Sequence, residues 1–121
     1  DSSPTDILVL TESWLNGSYF VIPKYYIFKS PPAKHQGIAI CLNSQRFNSV
    51  APLIQSLHTP FIVAVQVYIS EKISMGIIGA YIQPSEQKSS LEYLVLFVNE
   101  IKKQKPFLQL TLLGDFNIEI S

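Results

Sequence analysis

At 121 residues the chain has the size of one domain, and residues 1–121 read as a single unit that can bury a core. Hydrophobic residues make up 47% of it, which excludes a disordered chain; no apolar run reaches the roughly 18 residues of a membrane span, and the polar opening, Asp1 to Asp6, does not read as a signal peptide. Nine basic and nine acidic residues leave a net charge of zero, which argues against a protein that coats nucleic acid through a basic face but leaves room for an enzyme that touches a few phosphates.

In chain order, "DILVL" (Asp6 to Leu10) is a short continuous apolar run, the pattern of a buried strand, and it stops at Thr11-Glu12. Asn16-Gly17 marks a turn, followed by aromatic and β-branched residues up to Ser30, with Pro23 keeping the first part at an edge or in a loop. "SPPAKHQG", with His35, reads as a surface loop. "GIAICLN" (Gly37 to Asn43) is the next strand, and Cys41 within it is a buried core thiol. As the only cysteine, Cys41 allows no disulfide within the chain and no cysteine-based zinc cluster, which is compatible with a reducing, intracellular compartment, nuclear or cytoplasmic. "SQRFNSVAPLIQSLHTP" gives no single reading, a strand plus irregular turns, and His58 in it is an ordinary loop histidine.

Phe61 to Ile69, "FIVAVQVYI", is a strand; "SEK" turns the chain, and "ISMGIIGAYIQP" runs back as the hairpin partner. The period then changes. In "SSLEYLVLFVNEIKKQ", Leu91, Leu94, Val95, Val98 and Ile101 fall on one helical face; Ser89 and Glu92 form a capping box, Lys102 and Lys103 occupy the last turn, and Pro106 stops the helix. The run "IKKQK" is then a solvated helix end. "LQLTLLG" closes the series as a buried strand. Six or seven strands with one helix predict a mixed, layered α+β domain, an α/β sandwich.

Three strands end in residues that can do chemistry: Glu12 after "ILVLT", Tyr81 and Pro84 after "GIIGA", and Asp115 and Asn117 after "LTLLG". Ligands of layered domains gather beyond strand ends, where side chains leave the core yet stay rigidly held. A carboxylate at Glu12 suits Mg²⁺, an Asp can orient or deprotonate water, an Asn amide can donate to a phosphate oxygen, and Gly114 lets the backbone approach closely. The same residues also read blandly: Asp, Asn and Gly form turns, Glu12 can face solvent, and Tyr81 can simply pack.

"DILVLTESWL", "GIAI", "AYIQPS" and "LLGDFN", in that order, resemble the endonuclease–exonuclease–phosphatase superfamily, and most of all the endonuclease domains of non-LTR (LINE-type) retrotransposons with their reverse transcriptases. The resemblance implies two sheets flanked by helices, a four-layer α-β-β-α arrangement, and Mg²⁺-dependent phosphodiester hydrolysis on DNA, with Mn²⁺ as an alternative ion. Matched motif to motif, Glu12 would bind the metal, Tyr81 contact the scissile phosphate, Asp115 position the attacking water and Asn117 stabilise the transition-state charge.

The family also has a first strand ending in a metal-binding Asn and a last Ser-Asp-His-type motif. Neither falls within these residues, so the expectation is a partial fold lacking the first strand and the last strands, truncated at both ends, with weak or no activity alone. Uncovered sheet edges would then invite self-association or a protein partner. A catalytically silent, domesticated module within a larger assembly is the alternative, and an unrelated α/β binding domain the third reading.

Overall fold

The computed structural model describes residues 7–11, 24–30, 37–47, 49–82 and 87–115. Its strands are β1 (Ile7–Thr11), β2 (Tyr25–Lys29), β3 (Ile38–Asn43), β4 (Ser49–Pro52), β5 (Ile62–Tyr68), β6 (Ser74–Tyr81) and β7 (Leu110–Asp115). Among the described residues the α-helix α1 (Gln87–Gln104) joins β6 to β7, and a 3-10 turn spans Gln55–Leu57. The segment that gave no single reading from sequence resolves into β4 and that turn. Asn16-Gly17, Pro23 and the His35 loop lie outside the described residues.

The strands form two sheets, β1-β3-β2 and β4-β5-β6-β7. All pairings are antiparallel except β6 with β7, which is parallel. A parallel pair needs a crossover, and α1 is that crossover. β5 and β6 pair from Ile62↔Ala80 to Tyr68↔Ser74, the hairpin expected from the "SEK" turn.

The two-residue period of the strands sorts their side chains between two cores. Ile38, Ile40 and Leu42 of β3 meet Val63, Val65 and Val67 of β5 and Ile77 of β6 between the sheets. The alternate residues Ala64, Ile78 and Ala80 face Leu94, Phe97 and Ile101 of α1. Burying each large aliphatic side chain in these layers stabilises the fold by about 1.5–3 kcal/mol of transfer free energy. Cys41 is fully buried in β3, as expected of a core thiol. Sheet on sheet, with a helix on the second sheet, is a partial α/β sandwich. No helix among the described residues is long and apolar enough to cross a membrane.

Four sequence expectations change. The helix begins at Gln87, so Ser89 sits inside its first turn and cannot be the N-cap of a capping box. Val95 is 58% exposed and off the buried face, whose centre is Phe97 at 1%. The β1 residues Ile7, Leu8 and Val9 are only half-buried, because among the described residues β1 pairs with β3 alone and is an edge of its sheet. β7 is likewise an edge among the described residues, with Leu112 43% exposed, and it continues through Gly114 to Asp115.

Candidate functional site

The ladders fix where the strand ends lie. Tyr81 and Asp115 are the last residues of β6 and β7 and stand opposite each other in the parallel ladder. Two positions earlier Gly79 pairs with Leu113. Across the sandwich, Gly79 lies beneath β3: a Cβ there would stand 3.0 Å from Ile40 Cγ1 and 3.4 Å from Ile38 Cδ1. The absent side chain lets the two sheets close on each other at this point. Ile38 in turn pairs with Thr11, the last residue of β1. The exits of β1, β6 and β7 are therefore at one end of the sandwich, and β1 touches β7 directly.

Gly114 holds the approach to Asp115. Its φ is +141°, a conformation L side chains rarely adopt, and a Cβ on it would run into the Ala80 carbonyl oxygen while lying 2.9 Å from the carbonyl carbon. The glycine of the Gly-Asp-x-Asn stretch is thus required by close contact with the neighbouring strand.

Tyr81 is 8% exposed and belongs to the core between the sheets. Its backbone N–H donates to the Phe61 carbonyl at 2.8 Å, which ties the exit of β6 to the segment leading into β5. For Asp115 the structure describes the backbone alone. Glu12 and Asn117, the remaining predicted site residues, lie outside the described residues, one beyond the end of β1 and two beyond the end of β7. The structure thus brings the strands that carry these residues together and places Tyr81 beside the backbone of Asp115. Among the described residues no group of three or more His, Cys, Asp or Glu could hold a metal ion.

The other reactive groups are committed elsewhere. Burial pushes the Cys41 thiol up, so it is no nucleophile. His58 differs from the loop histidine expected. It is half-buried, its Nε2 lies 2.8 Å from the Leu53 carbonyl oxygen, and it also accepts the Ala64 N–H at 3.1 Å. Burial pushes its pKa below the usual histidine value. Nothing in "SLHTP" signals this, since Leu53 and Ala64 meet only through the β4–β5 ladder. Two clefts, of about 210 and 560 Å³, open elsewhere: one between β4 and the end of α1, the other beside Arg46 and Glu71. Neither is lined by Tyr81 or Asp115.

Compared by sequence, the chain matches no family model and no curated protein. Compared by structure, it is similar to the endonuclease domain of TRAS1, a telomere-specific non-LTR retrotransposon, at TM-score 0.72 and 19% identity over 95% of this chain and 48% of that one. A humanized D. rerio TDP2 matches at TM-score 0.64 and 14% identity over 94% of this chain and 53% of that one. D. rerio TDP2 complexed with single strand DNA product matches at TM-score 0.60 and 15% identity over 95% and 49%. These structures have the endonuclease–exonuclease–phosphatase fold, and the described elements have part of the same fold. The chain spans about half the length of the structures it matches.

Proposed function

We propose that this chain carries the metal and phosphate half-site of a nuclease-type phosphodiesterase of retroelement origin that acts on DNA inside the cell. The observation that carries the reading is the meeting of three strand exits, each leading into one motif, at a single end of the sandwich. Glu12 would hold Mg²⁺, or Mn²⁺ in its place; a single hard carboxylate, with water and phosphate completing the shell, is a donor set Mg²⁺ accepts. When bound, the ion supplies Lewis-acid stabilisation of the phosphate. Asp115 orients the attacking water, the Asn117 amide donates to a phosphate oxygen that gains charge, and Tyr81 contacts the scissile group. The single strand DNA product in the matched TDP2 structure supports a nucleic-acid substrate.

The test is nicking of supercoiled plasmid with Mg²⁺. The reading expects weak nicking that is lost in Asp115→Ala; loss of a group that handles the proton of the attacking water costs about 10²–10⁴ in rate. Nicking that survives the substitution removes Asp115 from the site.

A second reading is a catalytically silent module, an interaction subunit completed by a protein partner or by another copy. It is favoured by the burial of Tyr81 in the core. No nicking from either protein favours it.

A further inference from the structure

His58 occupies a position that an ordinary ladder bond would fill. Leu53 follows β4 and lies opposite Ala64 of β5; its N–H donates to the Ala64 carbonyl at 2.9 Å. In an antiparallel pair the Ala64 N–H would return the bond to the Leu53 carbonyl. Instead it donates to His58 Nε2 at 3.1 Å, and the same nitrogen lies 2.8 Å from the Leu53 carbonyl oxygen. A proton on Nε2 serves the carbonyl, and a bare Nε2 serves the Ala64 N–H. No protonation state serves both. The imidazolium carries protons on both nitrogens, so it leaves a fully buried Ala64 with a backbone donor facing another donor.

The segment that His58 pins is the one on which the site end of β6 rests. Phe61 N–H donates to Thr59 Oγ1 at 3.1 Å, and Thr59 and Ile62 exchange backbone bonds of 3.0 and 3.2 Å. The carbonyl of Phe61 then accepts the Tyr81 N–H at 2.8 Å. On the other side the Tyr93 hydroxyl of α1 donates to the Leu57 carbonyl at 2.6 Å, and the Phe97 ring lies 6.1 Å from the imidazole.

We propose that His58 is a positioning residue for the candidate site: its unprotonated Nε2 holds the Leu53–Phe61 segment closed, and that segment fixes the backbone of Tyr81. Protonation of His58 below neutral pH releases the segment and loosens the exit of β6. This rests on the reading of Tyr81 as a site residue. Burial favours the neutral ring and outweighs the contacts with Leu53 and Ala64, which favour the protonated one. The packed elements bring little competing charge. β4 and the 3-10 turn carry no ionisable side chain, β5 carries only Tyr68, and β6 only Tyr81. α1 turns Tyr93 toward the segment, while its Glu92 is exposed and Glu100 accepts the Gln104 amide.

The test is amide hydrogen exchange followed by NMR on the full chain at pH 7 and pH 5, corrected for intrinsic exchange, for wild type and His58→Gln. In wild type, protection at Ala64 and Tyr81 should fall together by about tenfold, the order that proton linkage supplies over this range. In His58→Gln, which does not titrate, protection should be independent of pH. Protection that is flat in wild type overturns the proposal, and so does a fall at Ala64 that leaves Tyr81 unchanged, or an equal fall in His58→Gln. If the variant does not fold, the wild-type comparison still decides. None of these readouts needs nuclease activity: a chain that nicks no plasmid yet loses protection at both amides keeps the latch and loses the enzymatic reading.

Discussion

Gly114 and His58 owe their roles to contacts across strands, and each makes a sharp prediction. Gly114→Ala places a methyl group against the Ala80 carbonyl and forces an L residue to φ +141°. The expected cost is about 2–4 kcal/mol, read as a lowered urea midpoint, because glycine-only backbone strain and a steric clash add. For His58 the sign follows from its depressed pKa in the folded state. Above the unfolded value of about 6.5 the ring is neutral in both states and its contribution is fully present. As pH falls from there toward the folded value, the unfolded chain takes up the proton first and stability is lost. The stability advantage of wild type over His58→Gln should therefore shrink between pH 7 and pH 5, measured by urea unfolding at each pH.

The helix and β7 show where periodicity is informative and where it stops. The change from a two-residue to a 3.6-residue repeat correctly marks α1, and Leu94 and Ile101 are buried as the pattern predicts. Periodicity misses the exact face, because Val95 and Phe97 flank Leu94 closely and both are apolar; only the position of the sheet decides which one turns inward. Phe97→Ala should cost about 3–5 kcal/mol, whereas Val95→Ala should change stability by less than about 0.5 kcal/mol. Equal costs by thermal or urea unfolding would reverse that assignment. The capping spacing of Ser89 and Glu92 places the helix start too late, since Gln87 and Lys88 are already helical. For β7, an apolar run reads as a buried strand whether it lies in the middle of a sheet or at its edge, and the edge follows from pairing alone.

At the scale of the molecule, two sheets with a crossover helix place the motif-bearing strand exits together, and they leave β7 paired only with β6 among the described residues. Its stretch Leu110 to Gly114 holds no charge and no proline, the devices that normally guard an edge, whereas β4 carries Pro52 and β2 carries Lys29. If this edge pairs with a second copy, Leu112→Lys should lower the mass seen by light scattering at the same concentration without altering the far-UV circular dichroism. An unchanged mass would take β7 out of that contact.

The sequence by itself determined the strands other than β4, the hairpin, the helix and the buried thiol, because each follows from local periodicity and turn chemistry. It also pointed to the ends of β1, β6 and β7 as a candidate site, where the structure keeps Tyr81 in the core. What only the tertiary structure decided were relations between distant segments: which strands are edges, which helical residue faces the sheet, why Gly114 must be glycine, and that His58 replaces a ladder bond. These depend on strand register and on the stacking of one sheet against another, and no short-range pattern in the chain encodes which backbone groups will meet.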